Sequence, residues 1–324
     1  MKKAVIDTNV SQENFNSQRS LALHEICSVP LIEHIILRLK EEQTQIFVAG
    51  DEALKEYFAS REDVCFGYDV KDFPQDCVYI PITEPDVWTD GNMPCSTREE
   101  FYILSEFLKM YINKKVMNTG VNIISPENTY ISPFAQIGKD CVIYPDVHIE
   151  GKVKIGQNCV IYSSTTIEDS SVGDNTTIRS SVVLKSTIGS NTAVGPFAYI
   201  RPNCSIGDNV KVGDFVEVKN SSIGNKTKIS HLTYVGDSDV GENVNFGCGT
   251  VTVNYDGINK FRTTIGNNAF IGCNTNLVAP VSVGDNSFIA AGSTITDTVP
   301  ENGFSIARSR QTNKENWVKP KDRK

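Results

Sequence analysis

A chain of 324 residues with 40% hydrophobic and 22% charged residues has the balance of a globular protein, long enough for two ordinary domains or one domain plus an elongated repeat. Its net charge of −8 opposes wholesale electrostatic binding to nucleic acid or to an anionic membrane. No run approaches the ~18 apolar residues of a membrane span, and Met1-Lys2-Lys3-Ala4-Val5-Ile6-Asp7 breaks off before any signal-peptide core, so a cytoplasmic protein is expected.

All four Met lie at or before Met117, and 19 of the 23 Gly lie after Gly120, so two regions built on different rules meet near residue 120. The first reads as mixed α/β. Lys3 to Ile6 and Thr44 to Ala49 are short buried strands, and Cys77 to Ile82 is a third. Between them, Pro30 to Lys40 carries Leu31, Ile32, Ile35, Ile36 and Leu39 on one helical stripe with Pro in the first turn. Asp51 to Ser60 is a second helix with Asp51 as N-cap. Thr97 to Lys115 is the longest helix, opened by a capping box of Thr97 and Glu100, with Phe101, Leu104, Phe107, Leu108 and Tyr111 on one face.

The second region is a repeat. Aliphatic residues recur every six positions from Ile131 through Ile137, Ile143, Ile149, Ile155, Ile161 and Ile167, resume after one-residue slips at Val172, Ile188 and Ile223, and close with Ile265 to Ile295. Period six fits neither an α-helix nor one alternating strand; it fits a parallel β-helix of hexapeptides, a β-solenoid whose flat strands each send one aliphatic side chain inward. Gly often follows the aliphatic residue, as at Gly189, Gly207 and Gly224, and is expected to turn the corners. The one long excursion, Thr252 to Thr264, holds a turn at Asn254-Tyr255-Asp256-Gly257 with Gly available for positive φ. Nine Cys are scattered, odd in number and never spaced C-x-x-C, which points to free thiols in a reducing compartment.

Gly195-Pro196-Phe197-Ala198-Tyr199-Ile200-Arg201-Pro202, Asp214-Phe215-Val216-Glu217-Val218-Lys219, His231-Leu232-Thr233-Tyr234 and Asn254-Tyr255-Asp256-Gly257-Ile258-Asn259-Lys260 resemble the acetyltransferase domain of the bifunctional bacterial enzymes that make UDP-N-acetylglucosamine, from about residue 95 to the C-terminus. The resemblance implies a left-handed parallel β-helix over 121–307, preceded by a linker helix over 96–120 and followed by a C-terminal arm over 308–324. It also implies that residues 1–95 are a shortened, degenerate Rossmann-like nucleotidyltransferase domain. The family's loop L-A-A-G-x-G-T-R-M is replaced here: Val10 and Gln12 stand where glycines belong, Asn14 in the place of Arg and Leu21 in the place of Lys. Ser96 stands in the place of an Asn that helps hold Mg²⁺. A phosphate cradle needs glycines and cations, so uridylyl transfer is expected to be lost.

Acetyl transfer to an amine needs a base, stabilisation of the thioester oxygen and alignment of two substrates. Of four His, His231 matches the family's base, and the resemblance assigns Glu217 to orient it. It assigns sugar and phosphate contacts to Arg201, Lys219, Tyr234, Asn245, Asn254 and Lys260. Acetyl-CoA contacts fall to Cys248, Tyr255, Cys273, Ala291 and Arg308, with Cys248 and Cys273 replacing the more frequent Ala and Ser. The implied protein is a glucosamine-1-phosphate N-acetyltransferase, a homotrimer with sites between subunits that needs no metal for acetyl transfer. An N-acetyltransferase for another amino sugar, or a non-catalytic trimeric sugar-phosphate-binding scaffold, are the alternatives. A carbonic-anhydrase-like metal enzyme would need about three His, whereas the coils hold only His148 and His231. The terminal cations Lys319, Lys321, Arg323 and Lys324 read as a solvated end.

Overall fold

The structure, a computed structural model, describes residues 2–10, 15, 17, 19–83 and 94–317. Two compact units divide it, Met1–Lys185 and Ser186–Lys324. Gln12, Asn14 and the terminal cations from Lys319 onward lie outside the described residues.

The first unit opens on a parallel four-stranded sheet in the order Cys65–Gly67, Gln45–Ala49, Lys3–Asp7, Val78–Pro81. The strand Cys65–Gly67 is one more than the sequence suggested; three residues, only partly buried and ending in Gly, carry no periodic signal. The helix Leu31–Glu41 buries the anticipated stripe, although Pro30 stands just before the helix rather than inside its first turn. Asp51 caps Glu52–Phe58 by accepting from the Leu54 backbone N–H. Leu21, which occupies the place of the expected Lys, is fully buried among Ile6, Leu31, Ile35, Leu54 and Leu104.

The helix Arg98–Asn118 has the expected capping box in both directions, Glu100 N–H to Thr97 Oγ1 at 3.2 Å and Thr97 N–H to Glu100 Oε2 at 3.0 Å. Ser96 also donates both its N–H and its hydroxyl to Glu100, at 2.9 Å each. The helix buries Leu104, Leu108 and Ile112, four residues apart and hence on one face, with Phe101 and Phe107 at the edge of the core. Buried Asn113 donates to the carbonyls of Pro126 and Thr129 at 2.7 and 2.9 Å, which fastens the helix to the first coil.

Hexapeptide coils follow. In the first unit Val142–Ile143 lies between Asn122–Ile123 and Val160–Ile161, and Val147–Glu150 between Thr129–Ile131 and Thr165–Glu168, always parallel. The second unit repeats the scheme on three faces. One stacks Lys211–Asp214, Lys228–His231, Asn245–Phe246 and Phe270–Ile271; the next Tyr199–Ile200, Glu217–Lys219, Tyr234–Gly236 and Val251–Val253; the third Ser205–Ile206, Ser222–Ile223, Ser238–Val240 and Thr263–Ile265. Aliphatic residues of the six-residue series are buried, with Ile137 only partly so. The architecture is a parallel β-helix.

The corners differ from expectation. The residues with left-handed backbone are mostly Asn and Asp, such as Asn203, Asn209, Asn243 and Asn268, whose short polar side chains tolerate that conformation. The Gly after each aliphatic residue serves another purpose: a Cβ on Gly189 or Gly224 would stand 2.5 Å from backbone of the next coil, at Gly207 and Gly241. Glycine there lets coils approach.

Candidate functional site

All thirteen residues singled out from the sequence lie in the second unit, and they fall into three groups. The first gathers on the face of Tyr199–Ile200, Glu217–Lys219 and Tyr234–Gly236. Arg201 Nη1 donates to Glu217 Oε1 at 2.9 Å, and the Lys219 ammonium meets Asp237 Oδ2 at 3.1 Å. Asp237, only 5% exposed, also accepts from Asn220 Nδ2 at 2.6 Å and from Asn254 Nδ2. Asn254 Nδ2 lies 3.4 Å from the Tyr234 hydroxyl. Gly236 makes room for that ring, since a Cβ there would meet Tyr234 Oη at 2.3 Å. Asp237 escaped the sequence reading; its only signal was its place between Tyr234-Val235-Gly236 and Ser238.

Lys260 reaches this group from the excursion. Tyr255 and Lys260 bridge as antiparallel neighbours, Phe261 N–H returns to the Asn254 carbonyl at 2.9 Å, and Asp256 Oδ1 accepts from the backbones of Ile258 and Asn259 at 2.8 and 2.6 Å. Gly257 takes φ +103°, the conformation its sequence position anticipated. The Lys219 amine, placed to donate to Lys260 when Lys260 is neutral, and its positive charge hold Lys260 below the usual lysine range. Lys219 is held above that range by Lys260 in the accepting role and by Asp237. Burial works to raise the Asp237 carboxyl, but Asn220, Lys219 and Asn254 together hold it below the ordinary range. Two amines this close, with Arg201 also depressing Lys260 electrostatically, form a site whose charge an anion would relieve.

His231 belongs to a different group. It ends the strand Lys228–His231, in register with Asp214, and its Nδ1 lies 2.5 Å from Asp214 Oδ1. The expectation that Glu217 orients His231 is therefore corrected: Glu217 turns to Arg201 and pairs in register with Tyr199 and Tyr234, and Asp214 stands beside the imidazole. His231 lies two residues past Ile229; Cys248, Cys273 and Ala291 lie two past Phe246, Ile271 and Ile289, the residues that pair with it and with one another coil by coil. The ladder continues there through Gly249 N–H to Leu232 O, Asn274 N–H to Cys248 O and Gly292 N–H to Cys273 O, at 2.8 to 3.1 Å. His231, Cys248, Cys273 and Ala291 thus form one column along a corner, and Arg308 Cδ lies beside Gly292 at its end. Cys273 is an exposed free thiol and Cys248 a partly exposed one.

The two remaining positions are Asn245 and Tyr255. Asn245 lies on the face of Lys228–His231, paired with Lys228 and Phe270. Tyr255 is exposed on the excursion, its hydroxyl donating to the Gly257 carbonyl at 2.5 Å. Among the described residues, no group of three or more His, Cys, Asp or Glu is arranged to hold a metal ion, and no helix is long and apolar enough to cross a membrane.

Residues 125–195 match the family model described as GMPPB C-terminal domain, and residues 185–220 and 262–297 match the bacterial transferase hexapeptide repeat. The Bifunctional protein GlmU of Caldicellulosiruptor saccharolyticus is 54% identical over 70% of this chain and 49% of its own length. That of Clostridium kluyveri is 56% identical over 71% of this chain and 50% of its own. A solved Arabidopsis UDP-N-acetylglucosamine acyltransferase aligns over 57% of this chain and 69% of that one, at 17% identity and TM-score 0.42. The chain spans about half the length of the curated relatives it matches. Over 70% of its length the chain is homologous to the bifunctional GlmU proteins, and its coils carry the bacterial transferase hexapeptide repeat.

Proposed function

We propose that the chain transfers acetyl from acetyl-CoA to the amine of glucosamine 1-phosphate, giving N-acetylglucosamine 1-phosphate, and that it no longer transfers uridylyl groups. The observation that carries this reading is the gathering of Lys219, Lys260 and Asn254 about Asp237, with Arg201, paired to Glu217, near enough to lower Lys260 electrostatically; three cationic side chains among polar donors suit a sugar phosphate. In this reading His231 accepts the amine proton. Tyr234, Asn245 and Asn254 contact the sugar, with Glu217 holding the Arg201 guanidinium for the phosphate. Cys248, Cys273, Ala291, Tyr255 and Arg308 line the path of the thioester.

The division into a degenerate nucleotidyltransferase remnant over 1–95, a linker helix over 96–120, the acetyltransferase coils over 121–307 and an arm over 308–324 is part of the same proposal. Burial of Leu21 and the engagement of Ser96 with Glu100 support the loss of uridylyl transfer, because neither is disposed to serve a phosphate or Mg²⁺. A homotrimer with sites between subunits is proposed as well. Phe197, Phe215 and Leu232, 56–59% exposed, sit beside the His231 column in left-handed backbone, a placement that costs stability unless another surface covers it.

The test is thiol release from acetyl-CoA by the purified full chain with a panel of amino sugars and their phosphates. Release that needs glucosamine 1-phosphate supports the reading; no release with it, or equal release with the unphosphorylated sugar, overturns it. No UDP-N-acetylglucosamine is expected from UTP and N-acetylglucosamine 1-phosphate.

A further inference from the structure

We propose that Asp214 is a positioning residue for the base: its carboxylate fixes the His231 ring through Nδ1, leaving Nε2 to take the proton of the substrate amine. The proposal rests on the reading of His231 as the base. Its geometry is independent of that reading. Asp214 and His231 are in register on adjacent coils, their side chains meet at 2.5 Å, and backbone bonds hold the corner on both sides, Leu232 N–H to Asp214 O at 3.0 Å and Gly249 N–H to Leu232 O at 3.1 Å. Both side chains are accessible, His231 54% and Asp214 35%, so a substrate can reach the ring.

The exchange of charge is balanced. As the amine attacks the thioester carbonyl, the N–C bond forms, the amine proton passes to His231 Nε2, and the C–S bond breaks to release the CoA thiolate, which recovers that proton. A ring hydrogen-bonded through Nδ1–H to a carboxylate has Nε2 as its basic nitrogen and gains stabilisation when it becomes cationic. The hydrogen bond from His231 holds the Asp214 carboxyl below the usual carboxylate range, which keeps it anionic at neutral pH. On the stacked strands Lys211–Asp214 and Lys228–His231 the other titratable groups are Lys211 and Lys228, with the Cys248 thiol two residues past Phe246 on the next strand. Lys211 also acts to lower Asp214. Glu217 is engaged by Arg201 on the neighbouring face and does not replace Asp214.

The experiment uses the full chain, Asp214→Asn and His231→Ala, with two readings over pH 5 to 9. The first is kcat/KM for thiol release; the second is NMR titration of the labelled imidazoles, with the His231 signal identified by its loss in His231→Ala. Asp214→Asn is expected to move the acid limb of kcat/KM, and the His231 titration with it, to lower pH by about one unit. It should also lower kcat by about tenfold or more while leaving the KM for acetyl-CoA within about twofold. Asp214→Glu, which keeps the charge, is expected to show only part of the shift. An Asp214→Asn titration of His231 that coincides with the parent's overturns the inference, even if kcat falls. If the parent protein releases no thiol, or His231→Ala retains full activity, the base assignment fails instead, and the NMR titration alone decides whether Asp214 governs the ring.

Discussion

Asp237 shows how one carboxylate organises the proposed anion-binding group. It is buried, yet Asn220, Lys219 and Asn254 hold it below the ordinary carboxylate range. A carboxyl depressed on folding contributes stability that is present above its unfolded pKa, near ~3.9, and lost as pH falls through the lower folded value. The melting temperature of the parent protein is therefore expected to fall more steeply than that of Asp237→Asn between about pH 4 and pH 2, which a thermal-shift series would show. At neutral pH the same substitution frees Lys219 and Asn254, and it is expected to raise the KM for the sugar phosphate. Parallel slopes for the two proteins would remove Asp237 from this role. His231 and Asp214 obey a simpler logic, one pair across one coil step, and the expected effects differ accordingly: loss of Asp237 should act on binding, loss of Asp214 on the proton.

Among the coils, close stacking rather than turning explains most of the glycines. Gly213, one residue before Asp214, would place a Cβ 1.9 Å from the Ser230 carbonyl oxygen, so no side chain fits without parting two coils. Gly257, at the tip of the excursion, has nothing within 4 Å but takes φ +103°. Alanine at Gly257 is expected to cost about 1–2 kcal/mol, the penalty of left-handed backbone alone. Alanine at Gly213 is expected to cost clearly more and to shift the Asp214–His231 pair, lowering both melting temperature and turnover. Denaturant unfolding of the two variants tests the contrast; equal losses would show that coil contact at Gly213 is slack. The helix Arg98–Asn118 rests on a complementary device, its reciprocal capping box and the two bonds of Asn113 to the first coil.

In the assembled molecule, the exposed corner of Phe197, Phe215 and Leu232 is where the proposed trimer makes its demand. Phe197 and Phe215 stack with centroids 5.4 Å apart, and Asn274 takes the equivalent left-handed corner two coils beyond Leu232. Asparagine adopts that backbone readily, so a Phe215→Asn, Leu232→Asn variant relieves strain while removing apolar surface. Light scattering is expected to give three times the chain mass of 35.7 kDa for the parent protein and a smaller particle for the variant, which should also lose thiol release. A variant that stays trimeric and active would place the subunit contact elsewhere.

Period six was enough to specify coils with an inward aliphatic column, because a repeat that holds register buries one side chain per face whatever surrounds it. The capping box at Thr97, the Asp51 cap and the Gly257 turn were equally readable, since each is satisfied within a few residues. The strand Cys65–Gly67 was not, because its pairing with Gln45–Ala49 supplies what its own three residues lack. The thirteen candidate positions could be named from motifs, but not their partners. Asp214 meets His231 across 17 residues and Arg201 meets Glu217 across 16, so a one-residue change in coil length decides which side chain lies opposite. Lys260 comes near Lys219 only because the excursion, launched from Val251–Val253, returns toward a coil two steps before it. Local hydrogen bonding and repeat spacing are written in consecutive residues, whereas contacts between coils depend on how many residues each turn consumes and which way each corner side chain leaves the backbone.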